Sequence, residues 1–177
     1  IIESIIETIQ RLLIDNNLSV NEIKSIGIGV PGTVDSRKGL VVFAPNIFWK
    51  NIEIASAFKD VFSLPVYLGQ DSRAAAWGEY LVGSGKGCNN IAGITLGTGI
   101  GCGMIINGRL FHGGLNTAGE FGHQIVEIDG NPCNCGRAGC LEAHAAGLAI
   151  VREGKKISND NEITVKDVFD LAMAGCA

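Results

Sequence analysis

Three cysteines, Cys133, Cys135 and Cys140, stand within eight residues in the stretch GNPCNCGRAGCLEAHA (130–145). Thiolates are soft donors, and a structural zinc site takes four such ligands at tetrahedral angles. His123, ten residues upstream of Cys133 in GEFGH, is the natural fourth ligand. His144 competes for that place but falls inside a predicted helix. Two other readings stand beside zinc. Free buried thiols suit this loop poorly, because Asn131, Pro132, Gly136 and Gly139 make it tight and turn-rich. A disulfide would leave one of the three cysteines over, and no stretch of the chain reads as a secretory signal. A closed four-ligand site keeps no position for water, so it would brace the fold and not carry out chemistry. The isolated cysteines Cys88, Cys102 and Cys176 read as buried thiols.

A second pattern is LGTGIGCG (96–103). Gly97 and Gly99 let backbone N–H groups close around a phosphate, and Thr98 adds a hydroxyl. The stretch is not a dinucleotide fingerprint, because a strand and not a helix follows it. Nor is it a Walker loop, since no Gly-Lys-Ser/Thr closes it. A plain hairpin turn is the competing explanation. Asp71 follows a predicted strand directly, where open α/β sheets place ligands. It could take a proton, cap a helix, or do both. Glu120 and Glu142 flank His123 and the cysteine loop and could bind a polyol, or could be solvated surface charges. Asn46, in APNIFW, could read a hydroxyl or cap a turn.

The elements that must position these residues follow from periodicity. Ile2, Ile5, Ile6, Ile9, Leu12 and Leu13 fall on one helical face, which Asp15-Asn16-Asn17 ends. SIGIGV (25–30), LVVF (40–43) and PVYL (65–68) read as strands. Ile54, Phe58, Val61 and Phe62 predict a helix over 52–62, and SRAAAWGEYLVG a further one capped by Asp71 or Ser72. This alternation implies an α/β layer with a largely parallel sheet. Strands at 90–96 and 102–106 then flank the glycine turn, and Asn107-Gly108 signals another hairpin. A boundary between two lobes is expected near 82–89.

Of the 177 residues, 46% are apolar and 18% charged, so a packed core is expected. The net charge of −4, without any run of like charge, argues against a nucleic-acid surface or an anionic membrane. The opening IIESIIETIQRLLI carries Glu3, Glu7, Gln10 and Arg11 and is neither a signal peptide nor a membrane span. The chain does not begin with Met and closes on LAMAGCA, which reads as an unfinished helix, so a fragment of a longer protein is expected.

Taken in order, IGIGVPGTVD, APNIFW, GQDSRAAAWGEY, ITLGTGIGCGMIINGRLFHG, AGEFGH and CNCGRAGCLE resemble the ROK family of bacterial sugar kinases and sugar-responsive repressors. The resemblance implies an α/β, actin-like ATPase (ribonuclease H-like) fold. It would have two lobes with a ligand cleft between them, incomplete here: the remainder of an N-terminal lobe over 1–85 and the start of a C-terminal lobe over 86–177. It implies ATP-dependent phosphorylation of a hexose, glucose by default, at the 6-hydroxyl, with magnesium. Asp71 would match the base. Asn46, Asp71, Glu120, His123 and Glu142 would match the sugar-binding set. Gly97, Thr98 and Gly99 would match the second phosphate loop, and His123, Cys133, Cys135 and Cys140 the ligands of a structural zinc. A cytoplasmic homo-oligomer, a dimer, is implied as well.

Two departures lie beside the proposed base. Gln70 and Arg73 stand where the family kinases usually carry asparagine. The family's first phosphate loop, Asp-x-Gly-Gly-Thr, does not occur in this sequence, so residues 1–177 alone are expected to be inactive. A sugar-sensing repressor of the same family and an inactive sugar-binding fragment remain the alternatives. The intact LGTGIG favours the kinase.

Overall fold

The computed structural model describes residues 1–175, and the expectation for Cys176 lies outside them. The chain forms two compact units, Ile1–Ala74 with Gly113–Asn116, and Ala75–His112 with Thr117–Ala177.

The first unit is built on β1 (Ile26–Val30), β2 (Thr33–Asp35), β3 (Leu40–Ala44), β4 (Trp49–Glu53) and β5 (Val66–Gln70). β1 and β5 pair in parallel, from Ile26 opposite Val66 to Val30 opposite Gln70. β2, β3 and β4 form an antiparallel meander. The expected largely parallel sheet is therefore corrected: in this unit only β1–β5 is parallel. The reason is local. Residues 36–39 join β2 to β3 and the turn at Pro45–Ile47 joins β3 to β4, and connections this short join antiparallel neighbours. β4 was hidden in the sequence, since Lys50 and Asn51 interrupt its apolar pattern and Asn51 takes a left-handed φ of 54°.

Helix α1 (Ile2–Asp15) lays Ile2, Ile6 and Ile9 on the core, while Ile5 and Leu12 lie at the exposed margin of its stripe. Helix α2 (Ile54–Phe62) buries Ile54, Phe58 and Phe62. These three join Val30, Val34, Val41, Ala44 and Leu68 in one apolar cluster. Phe58 and Phe62 stack with centroids 6.4 Å apart. The spacing of bulky aliphatics in the sequence thus becomes a core that fixes the C-terminal end of β5, and with it the start of α3 (Asp71–Val82).

The second unit carries an antiparallel sheet of β6 (Ile91–Leu96), β7 (Ile100–Ile106) and β8 (Arg109–Leu110). Asn107 and Gly108 both have positive φ, 52° and 72°, as a tight two-residue hairpin turn requires. Helices α4 (Leu141–Ala145), α5 (Gly147–Ser158) and α6 (Val165–Met173) follow. α6 runs through Leu171–Met173 of the closing LAMAGCA, and a turn follows at Ala174 and Gly175. Cys102 is buried as expected, but Cys88 is exposed, in the turn between α3 and β6. Among the described residues no helix is long and apolar enough to cross a membrane.

Candidate functional site

His123 ends a short 3-10 turn, Phe121–His123. That turn lies against the backbone of β7: a Cβ on Gly122 would stand 2.3 Å from the Ile100 carbonyl oxygen, so only glycine allows the approach. The cysteine loop closes on itself. The Cys133 N–H donates to the Arg137 carbonyl at 2.8 Å, Gly136 N–H to Cys133 at 3.0 Å and Gly139 N–H to Asn131 at 2.8 Å. Leu141 N–H donates to the Gln124 carbonyl at 2.9 Å, which ties the loop's exit to the residue after His123. Cys140, fully buried, sits at the start of α4.

The folding of these segments gathers one nitrogen and three sulfurs. The ligand atoms of His123, Cys133, Cys135 and Cys140 all lie within 4.8 Å of one another. His123 Nδ1 is 3.7 Å from Cys133 Sγ, and Cys135 Sγ is 3.6 Å from Cys140 Sγ. Tetrahedral zinc with Zn–S bonds of about 2.3 Å places its sulfurs about 3.8 Å apart, so the donor set fits the ion. All the described cysteines are free thiols. His144 does not join them. Its ring lies 3.3 Å from the Glu127 carboxylate and 3.4 Å from the Asn131 amide.

The thiols perturb one another. Burial pushes Cys133 up, and it pushes Cys140, with the hydrogen bonds from Cys135 and Cys133, up to about 12. At Cys135 burial acts the same way, but hydrogen bonds from the Arg137 backbone and guanidinium and from the other two thiols outweigh it and bring Cys135 down to about 6. One thiolate is thus favoured and its neighbours resist the second and third charge. A divalent cation at the centre would remove that resistance.

Two of the expected sugar residues adjoin this cluster. Glu120 Oε2 is 4.0 Å from His123 Nε2. Glu142 Oε1 is 4.0 Å from Cys133 Sγ, and its Oε2 accepts the Ile100 N–H at 2.9 Å. Ile100 closes the glycine turn: Leu96 pairs with Ile100, and Gly97 N–H donates to the Gly99 carbonyl at 3.0 Å. The turn leaves Gly97 and Thr98 exposed.

Asn46 and Asp71 belong to the first unit. Asn46 is exposed in the 3-10 turn Pro45–Ile47 between β3 and β4. Asp71 is the first residue of α3, directly after β5, with an exposed side chain. Its Oδ1 accepts the Ser72 N–H at 2.7 Å and the Ser72 hydroxyl at 3.2 Å. Two residues on, Arg73 is 4% exposed. Its guanidinium donates to the Asn116 side-chain oxygen at 3.2 Å and to the Asn116 carbonyl at 2.8 Å. The Asn116 amide donates in turn to the Val34 carbonyl. Sequence reasoning flagged Arg73 only as a departure and passed over Asn116. The available signal was an arginine inside an alanine-rich helix.

The pattern of the ROK family matches residues 1–177. The chain belongs to the ROK family. A glucokinase of Streptomyces coelicolor is 45% identical over 139 residues, 78% of this chain and 44% of its own length. A xylose repressor of Bacillus spizizenii is 36% identical over 147 residues, 83% of this chain and 38% of its own length. This ROK chain thus spans less than half the length of either curated relative. The crystal structure of a ROK family glucokinase from Streptomyces griseus, in complex with glucose and AMPPNP, matches it with a TM-score of 0.83 at 36% identity. That match covers 98% of this chain and 60% of the other. The fold is the mixed α/β, actin-like ATPase fold of ROK proteins.

Proposed function

We propose that the protein to which this chain belongs is an ATP-dependent hexose kinase, with glucose as its preferred substrate and the 6-hydroxyl as acceptor. The observation that carries this reading is the intact glycine turn between β6 and β7, held open at Gly97 and Thr98. Phosphoryl transfer asks for positioning and charge neutralisation more than for covalent chemistry. In this reading the Thr98 and Gly99 amides receive phosphate oxygens of magnesium-ATP, while the Gly97 N–H closes the turn on the Gly99 carbonyl. Asp71, exposed at the C-terminal end of a parallel strand, accepts the proton of the sugar hydroxyl as it attacks. Asn46, Glu120, His123 and Glu142 bind the remaining hydroxyls, since each hydroxyl donates and accepts. Zinc held by His123, Cys133, Cys135 and Cys140 supplies rigidity alone. It fixes the His123 ring and the start of α4, which carries Glu142.

The test is a coupled assay on the full-length protein with ATP, magnesium and a panel of hexoses. Glucose turnover supports the reading, and absence of turnover with every hexose sinks it. Asp71→Asn keeps the shape and an acceptor but cannot take the proton, so kcat should fall about a hundredfold or more with little change in sugar affinity. A variant with near-full turnover would return Asp71 to a structural role. A sugar-sensing repressor is the second reading, supported by the xylose repressor's similarity over 83% of this chain. It requires sugar-dependent DNA binding by the full-length protein and no phosphoryl transfer.

A further inference from the structure

The three-residue glycine turn is gripped at both ends by one corner of the fold. At its exit, the Ile100 N–H donates to Glu142 Oε2 at 2.9 Å. At its entrance, the Gly97 carbonyl accepts the Gly147 N–H at 2.9 Å. Glu142 is in α4 and Gly147 opens α5, and only Ala146, itself buried, separates the two helices. The corner is stiff. Ala146 N–H donates to the Glu142 carbonyl at 3.1 Å, and the Arg152 guanidinium donates to the Ala143 carbonyl at 2.7 Å.

Both sides of this grip are close enough that a side chain would disturb it: at 147 it would meet the turn's backbone, and at 99 it would push the Glu142 carboxylate off the Ile100 N–H. A Cβ on Gly99 would stand 2.3 Å from Glu142 Oε2. A Cβ on Gly147 would stand 2.9 Å from the Gly97 carbonyl oxygen, nearer than side-chain carbons approach a backbone oxygen. Neither glycine has a left-handed φ. The turn cannot move away from the α4–α5 corner without giving up both hydrogen bonds, and the corner cannot carry a side chain at 147 without displacing the turn.

We infer that Gly147 is a positioning residue for the nucleotide and that Glu142 has a second task beside sugar binding: together they hold the Gly97–Ile100 turn in the shape that receives phosphate. The inference rests on the kinase reading above. It also gives the α4–α5 corner a function that links the two substrates, because the carboxylate proposed to touch the sugar is the one that orients the turn. Gly147 touches neither substrate and acts through the Gly97 carbonyl.

The experiment measures AMPPNP and glucose affinities separately, by calorimetry on the full-length protein, with zinc content and Tm recorded for each variant. Gly147→Ala should weaken AMPPNP about fivefold, the effect of one net hydrogen bond, and leave glucose affinity and zinc content unchanged. Gly154→Ala is the control on the same helix. Its Cβ would press on Val168 of α6, 2.4 Å away, and not on the turn. It should lower Tm and leave AMPPNP affinity alone. Should Gly147→Ala fail to fold, the pair Glu142→Gln and Glu142→Ala decides. Glutamine keeps an acceptor for the Ile100 N–H and should hold AMPPNP near the wild-type affinity. Alanine should lose it about fivefold, while both weaken glucose. The inference is overturned if Gly147→Ala binds AMPPNP like wild type, if Gly154→Ala weakens it equally, or if the two Glu142 variants bind it alike. A wild-type protein that binds no AMPPNP brings down the kinase reading first and this inference with it.

Discussion

Four of the six largest fully buried side chains, Phe58, Ile54, Val34 and Val41, lie in the first unit, and two, Ile105 and Cys140, in the second. The second unit is nonetheless the longer stretch of chain, and one of its two is a proposed metal ligand. The first unit buries branched aliphatics and stacked phenylalanines in one cluster, which is the ordinary route to stability. The buried apolar residues of the second are mostly small, Ala76, Cys102, Cys140, Ala143, Ala146 and Ala149 beside Ile100, Ile105 and Ile163. Its loop from Gly119 to Cys140 is ordered by backbone hydrogen bonds and by the four ligand atoms. A site that must present amides, carboxylates and an imidazole at fixed places cannot fill itself with leucine. A metal held by His123, Cys133, Cys135 and Cys140 would substitute for the missing core.

Removing the metal is the strongest way to test that contrast. The two tryptophans report the two units separately, Trp49 from β4 and Trp77 from α3. Chelation, or Cys140→Ser, should lower the melting temperature seen by Trp77 by more than about 10 °C, since structural zinc contributes on the order of 10 kcal/mol in small domains. The transition seen by Trp49 should move far less. Elemental analysis should find one zinc per chain before chelation and none after. Equal shifts at both tryptophans would erase the distinction between the units. A protein free of metal that melts unchanged with chelator would remove the zinc.

Phe58→Ala is the converse experiment and the next largest in effect. Phe58 is fully buried against Phe62 and the aliphatic cluster, and truncating such a ring costs about 3–5 kcal/mol. The loss should appear at Trp49, with zinc content intact. A variant that lost its zinc along with its core would show the two units to be one cooperative body.

The contrast also explains what was legible in the sequence. The first unit announces its helices through Ile2, Ile6, Ile9 and through Ile54, Phe58, Phe62, because apolar periodicity is what its core is made of. The cluster of His123, Cys133, Cys135 and Cys140 was legible because three of its members crowd into one loop. What escaped were the contacts that reach a distant backbone atom. Glu142 finds the Ile100 N–H across 42 positions, Arg73 finds Asn116 across 43, and Gly147 finds the Gly97 carbonyl. Backbone amides and carbonyls look the same at every position, so no residue pattern marks their partners. β4 escaped for a different reason: a left-handed Asn51 breaks its alternation.

The smallest expected effect tests a buried polar device inside the first unit. Arg73 is buried, and burying a guanidinium is costly unless its donors are matched. Two of its donors meet Asn116, one at the side chain and one at the carbonyl, and Asn116 passes the connection to Val34 of β2. This is how the short segment Gly113–Asn116 comes to belong to the first unit although its neighbours in sequence belong to the second. Asn116 has a φ of 59°, so Asn116→Gly keeps the backbone shape and the carbonyl while deleting both the side-chain acceptor for Arg73 and the donation to Val34. It should cost about 2 kcal/mol at Trp49. Arg73→Met removes both donations and should cost about 2–3 kcal/mol, the range for hydrogen bonds to charged groups. Because both variants remove the same side-chain bond, the double variant should cost less than the sum by about 1 kcal/mol, with zinc content unchanged throughout. Strict additivity would mean that Arg73 and Asn116 do not act as a unit. The polar clamp would then be packing around the guanidinium stem, and the first unit would be held by its apolar core alone.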